Sequence, residues 1–182
     1  MRTATEMYDF CKENGYGKGF NEKNSLKHFE IIASNLQPDE DVLFAFIGLH
    51  NYVSATKHDN NFAYAVTGKR VLMAQKRVVG QAFQSVALDR INDITFQAGL
   101  VFGVITIDAL TERFNVAVDK QQATNINARI HDLIFELKAT PAQAAAAPVS
   151  SADEILKYKQ LLDAGAITEE EFAAKKKQLL GV

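Results

Sequence analysis

The chain has 182 residues, of which 47% are hydrophobic and 23% are charged, and its formal net charge at pH 7 is −2. This length and composition fit one globular domain with a small appendage, and they exclude collagenous and wholly disordered chains. Because a nucleic-acid-binding domain is expected to carry a basic field, the near-neutral charge argues against a nucleic-acid partner.

The single cysteine, Cys11, excludes an internal disulfide and a zinc site built from several cysteines, and it fits a reducing compartment. Glu6, Asp9 and Lys12 interrupt the apolar residues near the start, so we predict no secretory signal. The longest uncharged stretch of the predicted fold, Ile94 to Ile107, is too short for a membrane-spanning helix. We therefore expect the protein in the cytoplasm.

Helical structure is predicted ahead of the strands. Residues 1–24 form an N-terminal extension with room for a short helix that ends at Asn14 and Gly15. A second helix is predicted to begin at Ser25 and to stop before Pro38, because its apolar residues recur at the spacing of one helical face. Those residues are Leu26, Phe29, Ile32, Ala33 and Leu36.

Seven short strands follow with no helices between them, which predicts an antiparallel meander and excludes parallel crossovers. The central feature is a hairpin over Phe62–Gln75, in which bulky and small residues alternate with the period of a strand. Gly68 is predicted to take a positive φ in a type II′ turn. The predicted strands are Val42–Tyr52, Phe62–Thr67, Val71–Ala74, Gln81–Leu88, Ile91–Gln97, Val101–Asp108 and Arg113–Val118.

A helix is predicted after the strands, with Asp119 and Gln122 forming a capping box at its start. Its apolar residues recur every three or four positions, so one stripe should face a hydrophobic surface. The open end of the strand barrel is the obvious surface. The stripe comprises Ala123, Ile126, Ile130, Leu133 and Leu137.

The C-terminal part is predicted to be a linker followed by a helical hairpin. Residues 139–150 carry no charge and two prolines, which is typical of a linker. Residues 151–182 contain two capping boxes and hence two short helices, and a hairpin of this size does not normally sustain its own core. We therefore predict that its apolar face contacts a second copy or a protein partner. The predicted contact residues are Ile155, Leu162, Phe172 and Leu179.

Residues 25–138 resemble the bacterial pleckstrin-homology (PH) domains. The resemblance lies in three motifs, which are Leu36-x-Pro38-x-Glu40-x-Val42-Leu43, the run Tyr64–Leu72, and Leu88-Asp89-x-Ile91-x-Asp93-Ile94. It implies a mainly β fold with some α: a seven-stranded, antiparallel, partly open barrel capped by a C-terminal helix. It also implies a domain without catalytic residues and with a tendency to form oligomers.

The tail resembles the SHOCT short C-terminal domain. The matching residues run from Ile155-Leu156-x-Tyr158-Lys159, through Asp163-x-Gly165-x-Ile167-Thr168, to Lys177-x-Leu179-Leu180-Gly181. This resemblance implies a segment that mediates oligomerisation or protein contacts. Together the two resemblances divide the chain into residues 1–24, 25–138, 139–150 and 151–182.

Four basic residues, Lys69, Arg70, Lys76 and Arg77, are the only charged residues in the stretch 60–88. They predict a locally basic end or edge of the central hairpin, where an anion could bind. Protection of turns and sheet edges by charged side chains explains them more simply.

The phosphoinositide-binding residues of eukaryotic PH domains cannot be carried over to this chain. The loop Val53–Asn61, which corresponds to their basic hairpin, offers only Lys57 and His58 beside Asp59. Other residues with ligating or nucleophilic side chains lack the spacing of a metal motif or a nucleophile elbow. They are Cys11, His28, His50, His58 and Asp59. Asp89 and Asp93 are predicted to be turn and strand-end hydrogen bonders.

The sequence therefore predicts a non-enzymatic binding or scaffolding module that self-associates or contacts a protein partner through its tail. The alternative is a peripheral binder of anionic lipid, or of another phosphate-bearing ligand, through the four basic residues. We expect no catalytic residue, no metal and no cofactor, and at most a weak contact with anionic membranes.

Overall fold

A computed structural model describes residues 1–17, 19–139, 158–159, 162 and 168–180, with the backbone alone at 137–139, 170–171 and 178–180. The chain divides into two compact units, Met1–Ala139 and Thr140–Val182. The predicted linker, residues 140–150, and the tail residue Ile155 lie outside the described residues.

The described residues of the first unit form three α-helices and seven β-strands. The helices are α1 (Ala4–Asn14), α2 (Glu22–Ser34) and α3 (Lys120–Ala139). The strands are β1 (Val42–His50), β2 (Asn61–Thr67), β3 (Arg70–Lys76), β4 (Gln81–Ala87), β5 (Ile91–Ala98), β6 (Phe102–Ala109) and β7 (Arg113–Asp119). A short 3-10 helix, Leu88–Arg90, joins β4 to β5. In the second unit, helix α4 spans Glu169–Leu180 and begins directly after the predicted cap Thr168.

The strands form one antiparallel sheet in the order β4-β3-β2-β1-β7-β6-β5, so β4 and β5 are its edges. β1 pairs with β7 only at its end, where Leu49 lies opposite Ala117 and His50 lies opposite Val116. The predicted fold class is confirmed: a seven-stranded, antiparallel, partly open barrel has helices before its strands and one helix after them.

β1, β2 and β3 are buried on both faces. Bulky side chains such as Phe46 and Tyr64 fill the inside of the barrel, where their rings stack with centroids 4.7 Å apart. Small side chains such as Ala63 and Ala65 lie on the outside in a second cluster with Phe29 of α2. The alternation of bulky and small residues in β2 therefore has a cause, because short side chains let α1 and α2 pack closely on the outer face.

Helix α3 covers the inner face of the barrel. The predicted stripe residues Ala123, Ile126, Ile130 and Leu133 are buried in the barrel cluster, as the periodicity indicates. The close approach of α3 to β6 depends on Gly103 of β6, because a Cβ at that position would lie 2.1 Å from the Cβ of Ala123.

Three local predictions were wrong in detail. Helix α2 begins at Glu22 and not at Ser25, because Asn21 is the N-cap and accepts a hydrogen bond from the N–H of Asn24 at 3.1 Å. β1 ends at His50 and not at Tyr52, since Asn51 leaves the strand with a φ of 50°. The φ of Gly68 does not lie in the left-handed region, so the β2–β3 turn is not of type II′.

Replacing Phe29 with Ala should lower the free energy of unfolding by about 3–5 kcal/mol, because the ring is fully buried beneath the outer face. Urea denaturation followed by circular dichroism measures this change. Glu30→Ala is the matched control on the exposed side of α2 and should change stability by at most about 0.5 kcal/mol. A loss below about 1 kcal/mol for Phe29→Ala would mean that α2 is not part of the folding unit.

Candidate functional site

The structure does not bring the four predicted basic residues together. Lys69 and Arg70 lie where β3 begins, whereas Lys76 and Arg77 lie where it ends. A strand of seven residues is about 20 Å long at a rise of about 3.3 Å per residue. The two pairs therefore occupy opposite ends of the hairpin and have different surroundings.

Arg70 is held by the buried carboxylate of Glu40 in the loop between α2 and β1. Its Nε donates to Glu40 Oε1 at 2.9 Å and its Nη2 donates to Glu40 Oε2 at 2.7 Å. The side chain of Glu40 is 1% exposed and that of Arg70 is 18% exposed. Bidentate pairs of this kind are the strong form of an ion pair, so the charge of Arg70 is matched within the fold.

Thr67 completes this arrangement and organises the β2–β3 turn. Its hydroxyl donates to Glu40 Oε1 at 2.8 Å and accepts from the backbone N–H groups of Lys69 and Arg70, both at 3.1 Å. The hydrogen bonds from Arg70, which has the largest effect, and from the Gln37 N–H and Thr67 lower the pKa of Glu40 to about 2. A side-chain hydroxyl therefore shapes this turn, where the sequence suggested a glycine with positive φ.

Lys69 also points at an acidic partner. Its Nζ donates to Asp39 Oδ2 at 2.8 Å and to Gln37 Oε1 at 3.2 Å. Both side chains of this ion pair are exposed, so its contribution to stability is small. Acidic residues of the α2–β1 loop thus neutralise the positive charges of Lys69 and Arg70. This end of the hairpin is therefore a poor site for an anion.

Lys76 and Arg77 line an open, polar cleft of about 590 Å³. Its walls come from α2, from the loop between β1 and β2, and from the end of β3. The lining residues are Asn24, Lys27, His28, His58, Asp59, Asn60, Asn61, Gln75, Lys76, Arg77 and Val78. Three exposed cations, Lys27, Lys76 and Arg77, meet here with one carboxylate, Asp59, which also accepts a hydrogen bond from the Asn51 side chain at 2.9 Å.

Two buried side chains hold the walls of the cleft together. His28 of α2 accepts the backbone N–H of Lys76 through Nδ1 at 2.8 Å, so the proton of its neutral ring is on Nε2. Burial lowers the pKa of His28. Gln75 donates through Nε2 to the carbonyl oxygens of Asp59 and Asn61 at 2.8 and 3.2 Å. Its Oε1 accepts from Arg77 Nε at 2.9 Å, which orients the guanidinium at the rim.

Lys27 was missed by the sequence analysis. It lies on α2, far from the hairpin in sequence, and a lysine on the polar face of a helix gives no signal of its own. Only the packing of α2 beside the end of β3 brings it to the same cleft as Lys76 and Arg77.

Three other residues that the sequence singles out, His50, Cys11 and Asp93, take structural positions outside the cleft. His50 Nδ1 and the Tyr64 hydroxyl form a 2.6 Å hydrogen bond in the core, and burial lowers the pKa of His50. Cys11 is buried and unbridged, and its thiol pKa is raised by burial. Asp93 Oδ1 accepts the N–H of Ile94 at 2.8 Å, as expected for a strand-end hydrogen bonder. Among the described residues, no group of three or more such side chains could hold a metal ion.

The described part of the tail is helical. Phe172 and Leu162 are half-buried, and the side chain of Leu179 in α4 is not described. The ammonium of Lys175 lies 5.8 Å from the ring centroid of Tyr158, a cation–π contact between α4 and the preceding segment.

Residues 36–132 match the family model described as Bacterial PH domain. The chain belongs to this family. Residues 153–180 match the model described as Short C-terminal domain, or SHOCT. Both families are non-catalytic modules that generally contact proteins or lipids. The bacterial PH match includes the Glu40–Thr67–Arg70 cluster and Lys76, but it begins after α2 and so does not include Lys27.

Solved structures similar to this bacterial PH chain are distant in sequence. The Vps36 N-terminal PH domain is 13% identical with a TM-score of 0.45, and the match covers 57% of this chain and 86% of that chain. The C-terminal domain of an unknown protein from Leishmania infantum is 14% identical with a TM-score of 0.41, and the match covers 60% of this chain and 93% of that chain. A search of curated proteins finds no match. No helix in the described ranges is long and apolar enough to cross a membrane.

Glu40→Gln should lower the free energy of unfolding at pH 7 by roughly 3 kcal/mol, the value of a carboxyl pKa shifted from 4.5 to about 2. Because the folded-state pKa is lowered, the wild-type advantage is complete above about pH 4.5 and should vanish as the pH falls towards 2. Urea denaturation at several pH values measures both effects. Asp39→Asn, in the neighbouring exposed ion pair, is the control and should change little. A constant difference between wild type and Glu40→Gln across this range would contradict the assignment.

Stability should also fall as the pH drops below about 6.5, because the unfolded chain protonates at His28 and His50 before the folded protein does. His28→Asn, which removes one of these groups, should flatten this dependence between pH 8 and 5. His58→Asn is the matched control in the same cleft, where the His58 ring accepts only the local N–H of Asn60. An unchanged slope in His28→Asn, measured by thermal unfolding in matched buffers, would show that its ring does not stay neutral in the folded state.

Proposed function

We propose that this chain is a non-enzymatic binding or scaffolding module that self-associates or contacts a protein partner through its SHOCT-like tail, residues 151–180. The observation that carries the proposal is the tail itself, a separate small unit with a 12-residue helix, α4. Isolated helices of this length are marginal in water because nucleation is costly. Association is the natural means of burying Phe172 and the other predicted contact residues of the tail more completely.

The charges of the tail do not require a charged partner. Glu169 lies in the first turn of α4 and Lys177 lies in its last turn, so both complement the helix dipole. Lys175 already contacts the Tyr158 ring. These residues support an apolar contact surface for the tail in preference to an electrostatic one.

The first unit supports the role of a stable platform. Helices α1 and α2 cover the outer face of β1–β3, and α3 covers the inner face, so the unit has a complete core without the tail. A chain that ends at Ala139 should therefore fold, which allows the two units to be tested separately.

The second candidate function is peripheral contact with anionic lipid or another phosphate-bearing ligand. The cleft favours it, because Lys27, Lys76 and Arg77 converge there on one surface. Lys69 and Arg70 no longer support this candidate, since acidic residues of the α2–β1 loop meet their charges.

Light scattering, with the measured mass divided by the chain mass, should give more subunits for the full chain than for the chain ending at Ala139 or for Phe172→Asp. The truncation removes the tail, and the substitution places a charge on its predicted apolar face. Ala174→Asp is the matched control, since it adds the same charge to an exposed position of α4. An equal number of subunits, above one, in all four proteins would place self-association on the first unit and refute a role of the tail in it. Monomers throughout would leave only a different protein as the partner of the tail.

A further inference from the structure

The sheet has two edge strands, β4 and β5, and β5 is protected against pairing with a further strand. A register shift between Ile91 and Asp93 interrupts its ladder. Side chains also occupy the backbone groups of Ile94, whose N–H donates to Asp93 Oδ1 at 2.8 Å and whose carbonyl accepts from His131 Nε2 at 3.1 Å. Bulges, charges and covering groups of this kind are the usual protection of an edge.

The other edge strand, β4, has none of this protection. It contains no charged residue and no proline, and it pairs with β3 from Gln81 to Ala87 without a register shift. A regular, uncharged edge is a template for pairing with another strand. The two edges of one sheet therefore differ, and β4 is the one that can accept a strand.

Two hydrogen bonds at the ends of the β3–β4 hairpin define which backbone groups of β4 face outward. The Arg77 N–H donates to the Gly80 carbonyl at 3.2 Å, and the Leu88 N–H donates to the Lys69 carbonyl at 3.0 Å. Because bonding alternates along an antiparallel ladder, the even-numbered residues of β4 bond to β3 and the odd-numbered residues face the free edge. Within the described ranges, no other loop or side chain bonds to the outward N–H and C=O groups of Gln81, Phe83 and Ser85.

Helix α2 adds a groove beside this edge. The groove has a volume of about 330 Å³, and its lining includes Lys27, Glu30 and Ile31 of α2 together with Lys76 and Gln81 of the hairpin. Phe83 is partly buried and packs against the outer cluster that contains Ile31. The match to the bacterial PH family begins at residue 36, so the helix that forms this wall lies outside the matched residues.

We propose that β4 binds an extended segment of a partner protein as an additional antiparallel strand of the sheet. The outward backbone groups of β4 supply the hydrogen bonds, as in other cases of strand addition. Alternate side chains of the segment lie on the outer face, where they contact Phe83 and enter the groove beside α2. This surface belongs to the first unit, and it does not depend on the contact proposed for the tail.

The charges of the groove define the chemistry of the segment. Two exposed cations, Lys27 and Lys76, line the groove with one carboxylate, Glu30, and with Gln81. An acidic residue opposite Gln81 therefore matches the excess positive charge. An apolar residue fits opposite Phe83, because aromatic and β-branched side chains pair well across strands.

The same charges favour a partner protein over a second copy of this chain. Two copies of β4 paired antiparallel about Gln84 would place Ala87 of one copy opposite Gln81 of the other. Since β4 contains no carboxylate, such a pair brings no acidic residue of the added strand to Lys27 and Lys76.

Fluorescence anisotropy of a designed peptide, titrated with the full chain, measures the proposed contact. The probe is the fluorescein-labelled, amidated heptapeptide Thr-Ile-Thr-Thr-Val-Val-Glu, whose last residue lies opposite Gln81. We expect saturable binding with a Kd below about 1 mM. Exchange of its Glu for Gln should weaken binding by about threefold, as for an exposed ion pair. Replacing Lys27 and Lys76 with Gln should remove this difference between the two peptides.

Methylation of peptide nitrogens tests the strand geometry. The N–H groups of the third and fifth peptide residues face Ser85 and Phe83, so N-methyl groups there should weaken binding by at least about tenfold. N-methyl groups on the fourth and sixth residues point away from β4 and should change binding by at most about twofold. These two peptides have the same mass and charge, so the second is the matched control for the first.

Ser85→Pro removes an outward N–H of β4 and no bond to β3, and edge strands tolerate proline at such positions. It should weaken peptide binding by at least about tenfold. Ala98→Pro is the matched control on β5, where the bond from the Gly99 N–H to the Phe102 carbonyl leaves the Ala98 N–H facing outward. Circular dichroism and thermal unfolding verify that each variant folds.

Binding should be unchanged in Ala98→Pro and also in Phe172→Asp, which alters only the tail. Failure of the tail contact and failure of strand addition are therefore distinguishable.

Absence of saturable peptide binding by the wild-type chain would overturn the proposal. Equal binding of the two N-methylated peptides would also overturn it, because only a paired strand gives the alternation. Loss of binding in Ala98→Pro with none in Ser85→Pro would assign the segment to β5. Self-association that Ser85→Pro abolishes, without peptide binding by the wild-type chain, would assign the edge to a second copy instead.

Discussion

The side chain of Glu40 joins segments that are far apart in the chain. The carboxylate accepts two hydrogen bonds from the guanidinium of Arg70 and a third from the hydroxyl of Thr67. The backbone carbonyl of Glu40 accepts a further hydrogen bond from the Arg2 side chain at 2.9 Å. The β2–β3 turn, the α2–β1 loop and the start of the chain are thereby tied together. Because the carboxylate is almost fully buried, loss of Arg70 would leave an uncompensated charge in the fold.

This buried pair also divides the basic residues into two groups with different roles. Arg70 and its neighbour Lys69 form ion pairs with carboxylates of the α2–β1 loop, and these pairs join that loop to the hairpin. At the other end of β3, Lys76 and Arg77 line a cleft whose one carboxylate is Asp59 of the β1–β2 loop. The same type of side chain therefore stabilises one end of the hairpin and remains exposed at the other.

The barrel was predictable because its signals are local. Bulky and small residues alternate around Tyr64, which indicates a strand. Apolar residues recur every three or four positions from Ala123 to Leu133, which indicates the helix that covers the inside of the barrel. The shape of the β2–β3 turn was not predictable, since Thr67 controls it together with Glu40, which lies far away in sequence. Contacts of this kind depend on tertiary packing, which a periodicity of residues does not encode.

The candidate surface was predictable only in part. Lys76 and Arg77 were visible in the sequence as a basic pair at the end of the central hairpin. Lys27 could not be found, because it reaches the cleft only through the packing of α2, which the small outer side chains of β1–β3 permit. The packing of α2 on the sheet therefore has two consequences. The helix covers the outer face of β1–β3, and it forms one wall of the cleft.

The central claim is that Arg70 belongs to the fold through Glu40 and is not available for a ligand. A double-mutant cycle of Glu40→Gln and Arg70→Met, measured as the free energy of unfolding at pH 7, tests this claim most directly. We expect a coupling energy of at least about 1.5 kcal/mol, as for buried residues that share hydrogen bonds. Additive effects, with a coupling below about 0.3 kcal/mol, would contradict the claim and return Arg70 to the set of residues available for a ligand.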